Sequence, residues 1–550
     1  MQLRWYQSEA IDAIYMYFQN GGRGNPVVAL QTGLGKSVVI AKFIEYAIKS
    51  FSDQRIMMLV DSMELVEQNA NKIKECWPNA PVGINCDGLN KRDFHNAIIC
   101  GSIGSVVGEI EQFGHRDLLI VDECQMVSDN ENSMYLTVIA ALKKINPALK
   151  VIGLSATPFR MKMGMVIDGG IFTDVVYDIT DMAGWARMIA DGFLCPPVAK
   201  RTDTKIDVSK VRLQGGEFNQ RQLEEAVDTS EITYKACVEM AEKGYDRWSW
   251  LIFATGIKHT EHVCETLNAI GINATFVHSK IKKKERKQRI ADFKAGKYRA
   301  MVNNGILTKG FDHPPVDLIG VLRPTMSVGL WIQIVGRGTR PYDWWNEYQY
   351  INGFNFTKVN CLILDFAGNT RRLGPVNDPR LPKKKGEAKG DAPVKECPKC
   401  ECFNHASARY CGGVPYPTPA GCGTEFIYEP DSKLSKTASD LEILKNDLPQ
   451  LEYFDVKKVL YTLHRKENSP DIMKVSYICG VKSYNEFVCL DHSGYAAKRA
   501  KEWWTMRTGY KGDEFPTSQQ AIEYSPNLPI PSRIKVWVNK KYPEIMNYEF

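Results

Sequence analysis

The sequence lacks the features that would place a protein in a membrane or outside the cell. No uninterrupted apolar run reaches the roughly 20 residues that a membrane-spanning helix needs. The first residues, Met1 to Trp5, show no charged-then-apolar leader of the kind that a signal peptide has. The fifteen cysteines are odd in number and scattered, which is not typical of a disulfide framework. We therefore expect a cytoplasmic protein with reduced thiols and no membrane partner.

An excess of charge of one sign is also missing. The 70 basic and 64 acidic side chains leave a net charge of only +6 on 550 residues. This charge permits a polyanionic partner without requiring one, so a nucleic-acid groove would have to come from local clustering. The apolar fraction of 44% and the charged fraction of 24% are ordinary for a globular protein. Because the chain is too long for one hydrophobic core, we expect three or four domains.

Two blocks of the sequence alternate short apolar runs with helical stretches. In the first block, the apolar runs predict strands at 27–30, 56–60, 97–100, 118–121 and 151–154. The second block repeats the pattern with runs at 250–254, 274–277, 300–302, 318–322 and 361–364. Continuous apolar strands separated by helices indicate a parallel sheet covered on both faces. The sequence therefore predicts two α/β lobes in tandem.

A glycine-containing segment with the features of a phosphate-binding loop follows the first predicted strand. It reads Leu30-Gln31-Thr32-Gly33-Leu34-Gly35-Lys36-Ser37 and precedes a helix. Glycines let backbone N–H groups surround phosphate oxygens at the helix N-terminus. We expect Lys36 to reach the β- and γ-phosphates of a nucleotide and Ser37 to bind Mg²⁺. Leu30 replaces the first glycine of the general pattern, and the alternative is an ordinary turn before a helix.

A pair of carboxylates follows the predicted strand at 118–121. Asp122 and Glu123 would lie at the carboxyl end of this strand, on the sheet that carries the phosphate loop. We expect Asp122 to hold Mg²⁺ through its waters and Glu123 to act as the general base for the attacking water. An Asp-Glu pair after a strand is weak evidence alone, and it gains weight from Lys36 upstream.

Six motifs, in order, resemble those of the superfamily 2 helicases of the DEAD/DEAH type. The first contains Gln7, in Leu3 to Gln7, and motif I contains Lys36 and Ser37. Motif II is Asp122 to Gln125, and motif III is Ser155-Ala156-Thr157. Motif V is Thr308-Lys309-Gly310-Phe311-Asp312, and motif VI is Gln333 to Arg340. Order and spacing agree from Leu3 to Arg340, well over half of the chain.

The resemblance implies two RecA-like lobes with ATP between them, and it assigns roles to residues of each motif. Catalytic roles are expected for Lys36, Asp122, Glu123, Gln333, Arg337 and Arg340, with Arg340 the better candidate for an arginine finger. Nucleotide contacts are expected from Arg4, Gln7, Thr32, Gly33, Gly35, Lys36, Ser37, Gly310 and Asp312. Coupling to motif III is expected from Gln125, Ser155 and Thr157. Contacts to the nucleic-acid backbone are expected from Ser62, Ser102, Thr255 and Thr308, although such residues can instead cap a helix.

Motif II departs from its relatives at one position. Gln125 stands where they usually carry histidine, a side chain expected to link the nucleotide site to motif III. Glutamine keeps a donor and an acceptor but cannot become cationic. We therefore expect the coupling to persist and the phosphate chemistry to be unchanged.

Further segments resemble the bacterial RadD-type DNA-repair helicases. These are Val121 to Cys124, Leu322 to Thr325 and Leu364 to Asn369, followed by a cysteine cluster. The resemblance implies an ATP- and Mg²⁺-dependent translocase or helicase that acts on single-stranded or branched DNA, with repair or recombination proteins as partners. Three alternatives stay open: an RNA remodeller of the same superfamily, a nucleic-acid-binding scaffold with a vestigial ATPase, and the motor subunit of a restriction enzyme.

The cysteine cluster predicts a structural zinc site. A Cys-x-x-Cys pair, Cys397 and Cys400, is followed by Cys411 and Cys422. Four thiolates suit tetrahedral coordination of Zn²⁺ with no open position for catalysis. Cys402 and His405 are competing ligands, and free thiols are the alternative.

The last module interleaves basic and aromatic residues. They are Lys498, Arg499, Lys501, Trp503, Trp504, Arg507, Tyr510 and Lys511. Such a mixture can bind nucleic acid through phosphates and stacked bases, and a packed aromatic core with a solvated basic face is at least as good an interpretation. The predicted boundaries are a first lobe at 1–195, an interlobe connection at 196–230, a second lobe at 231–370, a basic flexible linker at 371–396, a zinc-ribbon-like module at 397–428 and a small α+β domain at 440–550.

Overall fold

The computed structural model describes most of the chain and contains two compact units, Met1–Asn446 and Asp447–Phe550. The described residues are 2–127, 133–160, 164–168, 170–308, 310–346, 349–379, 394–405, 408–413, 418–426, 451–465, 470–480, 482–492, 494–510, 512, 514–538 and 543–550. Some predictions lie outside them. These concern Lys309 of motif V, most of the linker at 371–396, the start of the C-terminal domain, Lys511, and the side chains of His405 and Lys498.

The first lobe of the larger unit begins with a helix and then alternates strands with helices. Its helices are α1 (Trp5–Gln19), α2 (Lys36–Ser50), α3 (Met63–Cys76), α4 (Ile103–Val106), α5 (Met134–Ile145) and α6 (Met182–Ala190). Its strands are β1 (Pro26–Ala29), β2 (Ile56–Val60), β3 (Val82–Cys86), β4 (Lys91–Arg92), β5 (Ile98–Ser102), β6 (Leu118–Asp122), β7 (Lys150–Ser155), β8 (Phe159–Arg160), β9 (Gly164–Met165) and β10 (Asp174–Asp178).

One sheet organises this lobe, in the strand order β10-β1-β7-β6-β2-β5-β3-β4. All neighbouring strands are parallel except β3 and β4. Adjacent residues of β2 enter different cores, since Met58 packs in the cluster that contains α2 and α3, and Met57 packs in the cluster that contains α5. Helices thus cover both faces, which explains the continuous apolar strands. The five predicted strands of this lobe are confirmed.

The second lobe repeats the arrangement. Its helices are α7 (Gln220–Val227), α8 (Ser230–Lys243), α9 (Ile257–Ala269), α10 (Lys283–Lys294), α11 (Val328–Gly336) and α12 (Asn369–Leu373). Its strands are β11 (Pro197–Ala199), β12 (Leu213–Gln214), β13 (Glu217–Phe218), β14 (Trp250–Phe253), β15 (Ala274–Val277), β16 (Ala300–Asn303), β17 (Leu318–Val321) and β18 (Cys361–Asp365).

A six-stranded sheet in the order β11-β18-β17-β14-β16-β15 forms this lobe, and every neighbouring pair is parallel. The five predicted strands of the second lobe are confirmed. The edge strand β11 comes from the segment at 196–230 that the sequence suggested as a connection, and it pairs with β18. The same segment supplies the hairpin of β12 and β13 and the helix α7. It is therefore part of the second lobe.

The cysteine module follows the second lobe and packs on it. Its strands β19 (Val394–Glu396) and β20 (Phe403–His405) are antiparallel. A bridge between Lys200 and Cys402 connects the module to the residue after β11. The amide of Asn360 donates to the carbonyl of Pro419 at 2.7 Å. These contacts place the module along the edge of the second sheet.

The smaller unit contains two antiparallel sheets and two helices. Its elements are β21 (Leu451–Asp455), β22 (Lys458–His464), β23 (Ile472–Cys479), β24 (Lys482–Val488), α13 (Gly494–Thr508), α14 (Ser518–Tyr524), β25 (Arg533–Trp537) and β26 (Glu544–Glu549). The sheets have the orders β21-β25-β26 and β22-β23-β24. One apolar core joins residues of both sheets and both helices, including Tyr477, Trp504, Ala521 and Ile534.

Two further predictions concern the chain as a whole. Among the described residues, no helix is both long and apolar enough to cross a membrane. None of the fifteen cysteines, all of which lie among the described residues, is joined in a disulfide.

Candidate nucleotide site between the lobes

The phosphate loop joins β1 to α2 in the first lobe. Gly33 and Gly35 have φ angles of +102° and +79°, which are left-handed conformations that favour glycine. The backbone N–H groups of Gly35, Lys36 and Ser37 donate to no group among the described residues. Unpaired N–H groups at the start of a 15-residue helix form an anion site. The loop therefore fits the phosphates of a nucleotide.

The two carboxylates lie at the end of β6, beside this loop. The Lys36 ammonium is 2.8 Å from Oε1 of Glu123. Asp122 is buried and accepts a hydrogen bond from the side chain of Asn69 at 3.3 Å. Glu123 has a φ of +54°, a conformation that is costly for a residue with a side chain. The turn at Glu123 keeps both acidic side chains close to Lys36.

A hydrogen-bonded chain continues from Glu123 to motif III. The Gln125 side-chain amide donates to Oε2 of Glu123 at 2.6 Å. The Ser155 hydroxyl donates to Oε1 of Gln125 at 2.6 Å and accepts from the Thr157 backbone at 2.9 Å. The structure thus joins the three residues suggested for coupling, and Gln125 uses both its donor and its acceptor.

The charges of this cluster change the pKa of its members. Burial raises the pKa of Asp122, and the nearby Lys36 ammonium only partly offsets this. Burial on its own would lower the pKa of Lys36, but the carboxylates of Glu123 and Asp122 outweigh it and raise that pKa. Lys36 is therefore cationic at neutral pH, which a phosphate ligand requires.

Helix α1 holds the residues suggested for adenine recognition against the phosphate loop. Gln7 accepts from the Arg4 backbone at 3.1 Å and donates to the carbonyl of Leu34 at 3.0 Å. The hydroxyl of Tyr6 donates to the same carbonyl at 3.1 Å. A Cβ atom on Gly35 would lie only 2.9 Å from the Gln7 amide nitrogen. Arg4 and Gln7 thus lie beside the loop.

Motif VI of the second lobe packs directly on the phosphate loop of the first. The hydroxyl of Thr339 lies 3.3 Å from the carbonyl of Thr32, to which it donates. A Cβ atom on Gly336 would lie 2.6 Å from that of Thr32, so a larger residue would force the lobes apart. The side chain of Arg340 lies 3.6 Å from the position that a Cβ on Gly33 would take. The structure therefore brings Arg340 to the loop that carries Lys36.

Motif V holds both arginines of motif VI. Arg337 donates to the carbonyl of Thr308 at 2.6 Å and also to that of Phe311. Arg340 forms an ion pair with Asp312, with Nε 3.2 Å from Oδ1. Burial lowers the pKa of Arg337 to about 10, opposed by the carboxylates of Asp312 and Glu123. The carboxylate of Glu123 in the first lobe therefore stabilises the charged form of Arg337 in the second lobe.

One further residue of motif V, Gly310, lies along the same boundary. Gln333 is buried on α11. Gly310 has a φ of +65°, and a Cβ there would lie 3.4–3.5 Å from side chains of Glu64 and Gln68 on α3 of the first lobe. Ser37 lies in the first turn of α2, partly buried.

The four residues suggested for nucleic-acid contact differ in their surroundings. Thr255 and Thr308 are buried, and their hydroxyls donate to the carbonyls of Leu322 at 3.0 Å and Gly305 at 2.6 Å. Ser62 caps α3 and accepts from the backbone of Leu65 at 3.4 Å. Ser102 shares a hydrogen bond with Ser105 at 2.8 Å. The hydroxyls of Thr255, Thr308 and Ser62 therefore form hydrogen bonds within the chain. The four residues suggested for contact with the nucleic-acid backbone do not form one exposed set of hydroxyls.

Three contributors to this site were not identified from the sequence. Tyr6 lies within the Leu3 to Gln7 motif, which was a usable signal. Thr339 lies between the two arginines of motif VI, and its position within that motif was a usable signal. Asn69, on the second turn of α3, belongs to none of the motifs, and only the folded chain brings it to Asp122.

The cysteine module gathers four sulfur atoms. Cys397, Cys400, Cys411 and Cys422 are the four, and their Sγ atoms all lie within 4.8 Å of one another. The Cys397–Cys422 and Cys400–Cys411 pairs are 3.5 Å apart. Four Zn–S bonds of about 2.3 Å in a tetrahedron place sulfur atoms about 3.8 Å apart, so the cluster is compatible with structural zinc. Cys402 is not a member of the cluster.

Two family models match the chain in the order of the lobes. The model described as "Type III restriction enzyme, res subunit" matches residues 1–160. The model described as "Helicase conserved C-terminal domain" matches residues 233–341. The first range contains the phosphate loop, the acidic pair and motif III, and the second contains motifs V and VI.

Two yeast proteins match over both lobes. The chain is 29% identical over 395 residues to the Saccharomyces cerevisiae protein named "Putative ATP-dependent helicase IRC3", covering 69% of this chain and 53% of that protein. It is 28% identical over 388 residues to the Schizosaccharomyces pombe "Putative mitochondrial ATP-dependent helicase irc3", covering 69% of this chain and 60% of that protein. The chain thus spans a little over half the length of these relatives. A fragment of a "putative HsdR subunit of a type I restriction enzyme" from Vibrio vulnificus aligns with a TM-score of 0.47 at 21% identity, over 69% of this chain and 67% of that one.

Proposed function

This chain carries the two-lobed core of the superfamily 2 DEAD/DEAH-type helicases, and from that premise we propose that it is a DNA-dependent ATPase. In this proposal, hydrolysis of ATP moves the two lobes relative to each other and drives translocation on, or unwinding of, DNA during repair or recombination. The family implies ATP and Mg²⁺ as the nucleotide and the metal. The two relatives are named as ATP-dependent helicases, which supports the same class of activity.

One observation carries the proposal: motif VI of the second lobe packs on the phosphate loop of the first. Thr339 is bonded to Thr32, and Arg340 lies beside Gly33. A nucleotide on the loop would therefore be enclosed by residues from both lobes. When residues of two lobes share one ligand, binding favours the closed arrangement and loss of the ligand permits opening.

Each polar group of the cleft has a role in the proposal. The unpaired N–H groups of the loop and the ammonium of Lys36 would bind the β- and γ-phosphates. Ser37 and Asp122 would hold Mg²⁺, whose chemistry is to neutralise charge on the phosphates. Glu123 would take a proton from the attacking water on a carboxylate oxygen. Arg340 would leave Asp312 to stabilise charge on the transferred group, as an arginine finger does.

The coupling chain would report the state of the nucleotide site to the rest of the lobe. Glu123 is joined through Gln125 to Ser155, and Ser155 fixes the backbone at Thr157. A shift of Glu123 on nucleotide binding or release would therefore move the motif III segment. We propose that this movement changes the grip on DNA.

Replacement of Lys36 tests the nucleotide site. We expect Lys36→Ala to lower the DNA-stimulated ATPase rate by about 10³-fold, because the ammonium is lost where charge develops on the phosphates. DNA binding without ATP should remain. The measurements are phosphate release with and without DNA, and binding of a labelled oligonucleotide by anisotropy.

Lys49→Ala is the matched control, since Lys49 lies on the same helix, is 58% exposed and pairs with Glu45. It should keep the full rate. Stimulation is to be compared for single-stranded DNA, duplex DNA, branched DNA and RNA. Unchanged turnover in Lys36→Ala would refute the site, and stimulation by RNA alone would replace DNA with RNA as the substrate.

We further propose that the four-cysteine cluster binds one structural Zn²⁺. The four sulfur atoms converge at distances close to those of a tetrahedral site, and the module lies along the exposed edge of the second sheet. The metal would hold this module in place against β11. No catalytic role is assigned to it.

Metal content tests the zinc proposal. Purified protein should carry about one zinc per chain, and Cys397→Ser should lose it, because three thiolates bind the metal less tightly. Cys402→Ser is the matched control and should keep the metal, since Cys402 is buried nearby but is not one of the four. Equal zinc content in the two variants, or none in the wild type, would contradict the assignment.

A further inference from the structure

The described basic and aromatic residues that the sequence suggested for nucleic-acid binding are divided between the core and the surface of the smaller unit. Trp503, Trp504 and Arg507 are buried in the core of the smaller unit. The indole nitrogen of Trp503 donates to Glu486 at 2.7 Å. Arg499 and Lys501 on the same helix are exposed. Helix α13 therefore fits the alternative interpretation, a packed aromatic core with a solvated basic face, and its tryptophans are not available to stack on bases.

The sheet β22-β23-β24 has one buried face and one open face. Met473, Val475 and Tyr477 on β23 are fully buried. Because side chains alternate along a strand, the residues between them point the other way. The strand register then defines the open face: Lys458, Leu460, Thr462, His464, Ile472, Lys474, Ser476, Ile478, Ser483, Asn485 and Phe487.

The open face has no carboxylate. Its charged residues are Lys458 and Lys474, and neither has an ion-pair partner among the described residues. Its remaining polar side chains are hydroxyls, one amide and one imidazole. Such a face attracts a negatively charged polymer, and it offers no group that would repel one.

An aromatic platform lies on the same face. Phe487 is 53% exposed, and its ring centroid is 5.5 Å from that of His464. Lys474 is the direct cross-strand partner of Phe487, with Thr462 beyond it on β22. Direct cross-strand neighbours have Cβ atoms about 5 Å apart, so the Lys474 side chain starts beside the exposed ring and can reach a phosphate next to a base stacked on it.

The other sheet of the unit provides a comparison. The face of β21-β25-β26 that carries Arg533 and Lys535 also carries Asp455, Glu544 and Glu549. Arg533 is paired with Asp455 at 3.1 Å and with Glu549 at 3.8 Å. The exposed ring of this face, Tyr453, is covered by the cations of Arg533 and Lys535, 5.3 and 5.2 Å from its centroid. Carboxylates thus lie among the cations of this face, and Arg533 is neutralised by two of them.

We propose that the open face of β22-β23-β24 binds single-stranded DNA. A base stacks on Phe487 and His464, the ammonium groups of Lys474 and Lys458 contact neighbouring phosphates, and the hydroxyl and amide groups bond sugar or base edges. An exposed aromatic ring can stack on a base while a neighbouring lysine contacts the phosphate of the same strand. An acidic protein segment would contact the lysines but has no base to stack on the ring. The site adds a second DNA contact to the motor function proposed above and depends on that function only for the choice of DNA over RNA.

Direct binding to the full-length protein tests the proposal without ATP. The probe is a fluorescein-labelled polythymidine oligonucleotide, read by anisotropy in low salt. We expect Phe487→Ala to weaken binding about fivefold or more, the effect of losing one stacked base. Lys474→Gln should weaken binding by a smaller factor and reduce its dependence on salt.

Tyr453→Ala is the matched control, because Tyr453 is an aromatic residue of the same unit with 46% exposure. It should bind like the wild type. The rate at saturating DNA should be unchanged in Phe487→Ala, while more DNA is needed for half-maximal stimulation. Equal DNA affinities for Phe487→Ala and Tyr453→Ala would overturn the proposal. It would also be overturned if Phe487→Ala weakened the binding of an RNA oligonucleotide or of a protein but left the affinity for polythymidine unchanged.

The outcome for the sheet is separable from the outcome for the motor. A wild type that binds DNA through Phe487 but shows no stimulated turnover would remove the motor function and leave this site. Normal stimulation of the ATPase by DNA, together with an unchanged DNA affinity in Phe487→Ala, would support the motor function and remove this site. Thermal unfolding of each variant checks that the unit remains folded, which is expected since the Phe487 side chain is half exposed.

Discussion

Two of the buried clusters that pair a cation with a carboxylate among the described residues have different surroundings. In the first lobe, Lys36 is 2.8 Å from Glu123, beside backbone N–H groups that have no acceptor among the described residues. In the smaller unit, Arg507 is 3.5 Å from Glu486 and has no exposed side-chain surface. The guanidinium lies 3.9 Å from the ring centroid of Trp503 and 4.1 Å from that of Tyr548.

The partners of the two carboxylates explain the difference. Glu486 accepts hydrogen bonds from Tyr477, Trp503 and Tyr548, all side chains of one packed core. Glu123 is bonded to Lys36 on a loop and to Gln125, which leads on to motif III. An ion pair that is enclosed by aromatic rings, such as Arg507–Glu486, stabilises one packing arrangement. An ion pair whose members also contact loop segments, such as Lys36–Glu123, can rearrange when a ligand binds. We infer that the first cluster serves catalysis and the second serves stability.

Loss of the Glu123 charge should have the largest effect and should affect only turnover. We expect Glu123→Gln to lower the ATPase rate by about 10²–10⁴, because glutamine cannot take a proton from water. The unfolding temperature should change little, since the carboxylate of Asp122 remains near the Lys36 ammonium and the new amide oxygen can still accept a hydrogen bond from Lys36 or Gln125. Steady-state phosphate release and thermal unfolding are the two measurements.

Glu75→Gln is the control for this comparison. Glu75 lies on α3 of the same lobe, is 53% exposed and forms an ion pair with Lys72. It should leave both the rate and the stability unchanged, since exposed ion pairs contribute little. A Glu123→Gln protein that loses stability but keeps its rate would show that the two clusters do not differ in the way we infer.

The sequence predicted the two lobes well, and it singled out residues that the fold brings together where the lobes meet, for a physical reason. Strands buried on both faces need continuous apolar runs, and these stood out at all ten predicted positions. Phosphate chemistry needs glycines, a lysine and carboxylates at fixed strand ends, so Lys36, Asp122 and Glu123 could be identified without a structure. Arg340 was placed only through the order of motifs, because nothing local distinguishes it from a solvated arginine.

Other features depended on contacts that the sequence does not encode locally. Strand β11 is three residues long, and its pairing with β18 joins segments more than 160 positions apart. Strand β10 has partly exposed residues at the edge of its sheet, so it lacked the apolar run of the others. Thr255 and Thr308 lie where strands or turns end, but the carbonyls that accept from them belong to the fold. For α13, composition could not tell an aromatic core from a basic surface.

The second cluster provides the prediction with the smaller effect, one on stability alone. Arg507→Ala leaves the Glu486 carboxylate buried without its cation, which should destabilise the smaller unit by about 3–5 kcal/mol. Arg499→Ala on the same helix should cost less than about 1 kcal/mol, because Arg499 is 61% exposed and 4.0 Å from its partner Glu544. The single variant Arg507→Met should also be destabilised, because it too leaves the Glu486 carboxylate without a cation. The double variant Arg507→Met with Glu486→Gln should recover part of that loss of stability, since no lone buried charge then remains. Chemical unfolding followed by tryptophan fluorescence, with the unstimulated ATPase rate as the second readout, compares the variants. Equal losses for Arg507→Ala and Arg499→Ala, or a fall in the basal rate of Arg507→Ala, would end the distinction between a catalytic and a structural pair.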